Sequence, residues 1–285
     1  MVTLKLFEET FSEEETIHSN REKNRLNIFI SDSKDIKILL AKEYRERLRD
    51  RPLRPDLQNI KQRRKLIFQT RLNQAIKNKS PDWNISEINF VLSNLKNNIS
   101  RDHEGFLNEL FKFSGEDIKH SFIQMFNRLK DEQKIPLYML FALITTIPKR
   151  GLNSSMLTDE RGIFRCSVIR TILMRLIYNR NYKIIDNNMS DCNIGGRKGK
   201  GCRNNLFIIN GIIHDVLSST RKKPVLLQIY DYSQMFDGIN LEEAICDMFE
   251  VGVRDDSLGL LYEANREIKM SVKTQYGLTE KQFIP

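Results

Sequence analysis

Apolar residues recur along this chain at two different periods, and the changes from one to the other mark its elements. In "NISEINFVLSNL", Ile88, Val91, Leu92 and Leu95 repeat at helical spacing behind an Asn84-x-x-Glu87 capping box, which predicts a helix of about three turns. "EDIKHSFIQMFNRLK" places Ile118, Phe122, Met125, Phe126 and Leu129 on one face of a second helix. "FALITTIPKRG" is instead rich in apolar and β-branched residues and stops at Pro148, a short strand feeding a basic turn. Helical spacing returns twice: in "IFRCSVIRTILMRLIY" through Phe164, Val168, Ile172 and Leu176, and in "NNLFIINGIIHDVL" through Leu206, Ile209, Ile213 and Val216. Both read as core-facing helices.

The remainder reads as a crossover unit of strand, helices and strand. "VLLQIYD", residues 225–231, is a buried strand, followed by the helices "LEEAICDMFEVG" and "DSLGLLYEANRE". In "IKMSVKTQYG", Ile268, Met270 and Val272 alternate as in a half-buried strand. Residues 1–80 are polar and interrupted by Pro52 and Pro55, so loosely packed helices or partial disorder are expected there, with a compact region starting near Pro81. No internal repeat is visible.

At 285 residues and 40% hydrophobic content the chain has room for one large domain or two smaller ones. No apolar run approaches a membrane span, and the acidic start "MVTLKLFEETFSEEE" is unlike a signal peptide. The expectation is an intracellular protein, nuclear or cytoplasmic, with no membrane partner. Cys166, Cys192, Cys202 and Cys246 lack metal-ligand spacing and read as free thiols. The net charge of +9 is concentrated: residues 37–79 hold 14 Lys and Arg against 4 Asp and Glu. Such a segment suits salt-sensitive binding to nucleic acid, and it equally suits a solvated basic helix.

Two places offer chemistry. Asp231 ends its predicted strand, where α/β folds gather ligand chemistry, and a carboxylate there suits Mg²⁺. Asp237, six positions on, either joins it or caps the following helix. The second place is "NIGGRKGKGCR", residues 193–203, with four glycines and four basic side chains. Its glycines let backbone approach a phosphate chain that Arg197, Lys198, Lys200 and Arg203 would neutralise, and a solvated loop is the plain alternative. The spacing is not that of a Walker loop.

Taken in order, these pieces resemble the reverse transcriptase of non-long-terminal-repeat (LINE-type) retrotransposons. "PDWNISEINFVLSNLKNNISRDHEGFLNELFK" looks like that family's opening, and "IPLYMLFALITTIPKRG" is similar to its Pro-initiated helix and strand ending in a Pro-Lys turn. "LTDERGIF" and "NIGGRKGKGCRNNLFIINGI" resemble the next two motifs, and "LLQIYDYSQMFDGI" resembles the family's "FLDLSKAFDSV". The resemblance covers residues 81–285. It implies a helix-rich α+β fold, the fingers and first half of the palm of a right-hand polymerase, with a fingers-like region at 81–203 and a partial palm at 204–285. Residues 1–80 match no catalytic motif and would be a basic extension.

By this resemblance Asp231 is the first metal-binding aspartate, with the backbone of Tyr232 beside it. Phe236 packs under the incoming sugar. Lys149 and Arg161 meet the triphosphate and base of a deoxynucleotide. Asp237 ranks below Asp231, as a structural partner at the start of the next helix. The implied partners are an RNA template, a DNA primer and deoxynucleotide triphosphates, and the implied cofactor is Mg²⁺ or Mn²⁺. Two-metal phosphoryl transfer needs several converging carboxylates. The family's Gln-Gly segment and paired-aspartate hairpin do not occur within residues 1–285, and Asp255-Asp256 reads as a helix start because no apolar strand precedes it. Residues 1–285 alone are therefore expected not to polymerise. A non-catalytic nucleic-acid-binding protein is the competing class.

Overall fold

A computed structural model describes residues 38, 42, 58–148, 160–218, 227–230, 239–274, 277–279 and 282–283. In chain order they form helices α1 (Gln58–Lys77), α2 (Ile85–Ser93), α3 (Asn108–Lys112) and α4 (Glu116–Glu132), then a 3-10 turn over Leu137–Leu140. Strands β1 (Phe141–Pro148) and β2 (Glu160–Cys166) follow, then helices α5 (Val168–Asn188), α6 (Cys202–Ser218), α7 (Leu241–Val251) and α8 (Ser257–Glu263). Strands β3 (Lys269–Thr274), β4 (Gly277–Leu278) and β5 (Gln282–Phe283) close the order. Helices thus outweigh a small mixed sheet, an α+β arrangement. Among the described residues no helix is long and apolar enough to cross a membrane.

The capping box at the start of α2 forms as its sequence predicts. Asn84 Oδ1 accepts from the Glu87 N–H and Glu87 Oε2 accepts from the Asn84 N–H, each at 3.1 Å. With its first turn satisfied, the helix buries Ile88, Val91 and Leu92, and Leu95 just beyond its end is buried with them. They meet Phe122, Phe126 and Leu129 of α4 and Ile172, Leu173 and Leu176 of α5 in the larger core. Ile118, expected on that face of α4, stays exposed on its first turn.

Trp83 fixes how the chain enters this core. Its ring meets Phe126 edge-on at 6.5 Å, and Lys130 Nζ and Arg180 Cζ stand 5.6 and 5.2 Å from its centroid. Both cations also hold the preceding link. The buried Lys130 ammonium donates to the Ser80 and Pro81 carbonyls and to Asp82 Oδ1, while Arg180 donates to the Pro81 and Asp82 carbonyls and to both Glu87 oxygens. Buried charges are tolerable only when so fully partnered.

The compact part begins well before Pro81, contrary to the sequence expectation. Helix α1 turns Phe68, Leu72 and Ala75 onto Ile245, Phe249, Val253 and Leu258, forming a second core with Phe68 and Tyr262 rings 5.0 Å apart. Ion pairs Arg64–Glu243 and Arg71–Glu250 flank it. The stripe was hard to see because Ile60, Leu66 and Ile67 lie off it, exposed among basic residues. At Gly259, a Cβ would stand 2.1 Å from Gln133 Oε1 and 2.6 Å from Ile76 Cγ1, so α8 packs closely against both the Gln133 side chain and α1.

In the sheet the strand order is β2-β1-β3-β4, with β5 also pairing β3. β1 runs antiparallel to β2 and parallel to β3, with Ala142 opposite Met270 and Ile144 opposite Val272. Lying between two neighbours, β1 buries the continuous run from Phe141 to Ile144, as a central strand does. Met270 and Val272 are buried as predicted, and the parallel partner of their strand is 141–148. The expected helix through Phe164 divides instead: 160–166 is the edge strand β2, and α5 starts after Ser167, whose side chain accepts from the Arg170 N–H at 3.4 Å. An edge strand that is largely solvent-facing shows no alternation in sequence.

Two further expectations fail. Residues 227–230 form no strand, and Leu227, Ile229 and Tyr230 are exposed. The free side of β3 that would accept a strand is already paired with β4 and β5. Helix α6 forms where expected but buries no residue: Leu206 is exposed, and Ile209, Ile213 and Val216 are only half-buried.

Candidate nucleic-acid interface

The antiparallel register of β1 and β2 sets Arg161 near the end of their ladder. Ile147 stands opposite Arg161, and Pro148 opposite Glu160, as the last pairs of the ladder. Arg161 is exposed there. Lys149, the residue after Pro148 in sequence, lies outside the described residues, as do Asp231, Tyr232, Phe236 and Asp237.

The glycine-rich loop is built differently from a simple cationic cradle. Gly196 and Gly199 take φ of +72° and +76°, which the turn needs and L side chains rarely adopt. Arg197 faces inward. Its Nε donates to Asp186 Oδ1 at 2.8 Å, its Nη1 to the carbonyls of Ser190 and Asn193, and its Nη2 to the carbonyl of Asp186. Its side chain is only 8% exposed. The guanidinium beside Asp186 holds that carboxyl below the usual carboxylate range, and Tyr182 Oη adds a weaker hydrogen bond. The Tyr182 hydroxyl also accepts from the Lys198 N–H at 3.1 Å.

Arg197 therefore ties the loop to the end of α5, and Lys198, Lys200 and Arg203 are the side chains exposed to solvent. Lys200 Nζ lies 3.9 Å from the fully exposed Asp191 carboxylate, a contact of little strength in water. Gly201 N–H donates to Asn204 Oδ1 at 3.2 Å, joining the loop to the first turn of α6. Asp186 and Tyr182 carried no functional signal in sequence. Their only trace is an i, i+4 spacing on α5, and their role appears once the loop folds back over that helix.

Asp102 was likewise missed. Buried, it accepts from the Glu104 and Phe106 N–H groups through Oδ1 and from the Val168 N–H through Oδ2, at 2.8 to 3.0 Å. It fixes the start of α5 relative to the loop before α3. Near the other end of the chain, the cap of α7 is Asn240, whose Oδ1 accepts from the Glu243 N–H at 3.0 Å. The capping role considered for Asp237 belongs to that residue.

No three His, Cys, Asp or Glu side chains among the described residues converge as a metal site. Asp255 and Asp256 are indeed a helix start: Asp255 Oδ1 accepts from the Ser257 N–H, and the buried Asp256 Oδ1 accepts from Ser80 N and Oγ at 3.0 and 2.6 Å. Asp231, the carboxylate that the resemblance assigns to the metal, lies outside the described residues. The four cysteines are unpaired. A scan of the chain against protein-family models finds no match.

Proposed function

We propose that residues 81–285 are the fingers and first half of the palm of an RNA-directed DNA polymerase of non-LTR retrotransposon type. The supporting observation is the β1–β2 register, which sets Arg161 opposite Ile147 at the hairpin end where the chain leaves Pro148 for Lys149. A nucleotide's triphosphate needs convergent cations, and this reading requires Lys149 to join Arg161 there. In this reading Lys149 and Arg161 meet the incoming nucleotide, Phe236 packs under its sugar, and Asp231 with the Tyr232 backbone supplies one side of the metal site. Asp237 serves as a structural neighbour. Lys198, Lys200 and Arg203 meet the nucleic acid, and Arg197 holds their loop in place. Mg²⁺ or Mn²⁺, when bound, stabilises the attacking and leaving oxygens. One carboxylate does not hold two such ions, so residues 1–285 by themselves do not extend a primer.

The test is primer extension on an RNA template with Mg²⁺ and deoxynucleotide triphosphates, comparing residues 1–285 with the longest reading frame that contains them. The expected result is extension by the longer chain, abolished by Asp231→Ala, and none by residues 1–285. Extension that persists in Asp231→Ala would overturn the assignment. A non-catalytic RNA-binding protein is the second reading, favoured by the outward display of Lys198, Lys200 and Arg203. It predicts salt-sensitive RNA affinity indifferent to Asp231 and no extension by either chain.

A further inference from the structure

Helix α6 carries two faces, and the one without a core partner has its own chemistry. Ile209, Ile213 and Val216 are the half-buried positions. At about 100° per residue, Arg203, Asn204, Phe207 and Ile208 lie on the opposite side. These four line a shallow depression of about 250 Å³. Phe207 is 81% exposed. Gly211 continues the same face, and a Cβ built there would meet nothing within 4 Å, so the face beyond the ring is open.

A solvated phenyl ring one helical turn from Arg203, beside a loop displaying Lys198 and Lys200, combines an aromatic platform with local positive charge. The loop is not free to swing away, because Arg197 fastens it to Asp186 and Gly201 to Asn204. A ligand matching this surface has flat π-faces on a polyanionic backbone. A duplex keeps its bases stacked inside, whereas an unpaired strand offers them to a side chain. Asp215, on the same side two turns beyond Phe207, confines the favourable stretch to the first half of the helix.

We infer that this face of α6 is a base-stacking site for single-stranded RNA, with Phe207 as the platform and Lys198, Lys200 and Arg203 as its phosphate contacts. The inference rests on the polymerase reading only in taking the strand to be an unpaired template. It adds a stacking residue that the motif resemblance does not assign.

Fluorescence-anisotropy titration of the full 285-residue chain with labelled oligouridine, and with an abasic ribose-phosphate oligomer of equal length, tests it. Phe207→Leu should weaken oligouridine binding by about 5- to 100-fold, the range of one lost base stack, and Phe207→Tyr should retain it. The abasic oligomer should bind wild type and Phe207→Leu equally. No change in Phe207→Leu, or an equal loss for both oligomers, overturns the stacking site while leaving Asp231-dependent extension untouched. Photo-crosslinking of 4-thiouridine RNA to the wild-type chain is independent of any variant's folding. Crosslinks should fall in the tryptic peptide 204–221, and their absence there overturns the inference.

Discussion

Arg197 Nε donates to Asp186 Oδ1 at 2.8 Å across a turn of eleven residues, and the same guanidinium closes on three backbone carbonyls. A basic residue in a glycine-rich loop is thereby an internal fastening. A fork of fixed geometry makes these bonds, and a lysine ammonium does not reproduce them. Arg197→Lys should keep the charge and loosen the loop. Trypsin should cleave after Lys198 and Lys200 several-fold faster than in wild type, whereas unchanged cleavage would return Arg197 to the phosphate-binding set.

The same contact carries a pH dependence. Asp186 is held below the ordinary carboxylate range, so its contribution is full above its unfolded value of about 4 and is lost as pH falls through the lowered folded value. Amide protection factors in residues 190–201, taken against the intrinsic rate at each pH, should fall in that acid window in wild type. In Asp186→Asn they should be low already at neutral pH.

Glu87 gives a parallel test in the core. Burial pushes its carboxyl up, but the Arg180 fork and the Asn84 N–H outweigh it and leave it below the usual range. Glu87→Gln keeps a capping-box partner and loses the ion pair, so it should cost about 1–3 kcal/mol at pH 7. The stabilisation from Glu87 is present above the unfolded value of about 4.3 and lost as pH falls through the folded one. Urea denaturation of both chains at pH 7 and pH 3 should therefore show the difference shrinking in acid.

Asp102→Ala strands three backbone donors, those of the partly buried Glu104 and Phe106 turn and that of the buried Val168. A loss of about 3 kcal/mol is expected, with Asp102→Asn costing less because one acceptor oxygen remains. Equal stability of the alanine variant and wild type in chemical denaturation would refute the clamp.

Gly259→Ala tests the docking of α1. The new methyl would stand 2.1 Å from Gln133 Oε1, which can turn aside, and 2.6 Å from Ile76 Cγ1, and overpacking of this kind costs about 1–3 kcal/mol. Ile76→Ala should relieve part of the strain in the double variant, giving favourable coupling between the two sites. Strictly additive losses would show that the strain comes from Gln133 and not from Ile76.

Some of this molecule was decided locally. The Asn84–Glu87 box, the strand ending at Pro148, the strand with Met270 and Val272 buried, and the helix start at Asp255-Asp256 each depend on neighbours a few positions away. Backbone sterics and period act over that range, so these features were legible from sequence alone. What sequence missed depended on which surfaces meet. Phe68, Leu72 and Ala75 of α1 became core only because α7 and α8 cover them. Leu206 and residues 227–230 are as apolar as any core segment, yet they are exposed in this structure. The inward turn of Arg197 depends on Asp186, eleven residues back on another element. Burial and charge pairing are properties of two surfaces in contact, and only the tertiary structure brings the second surface to the first.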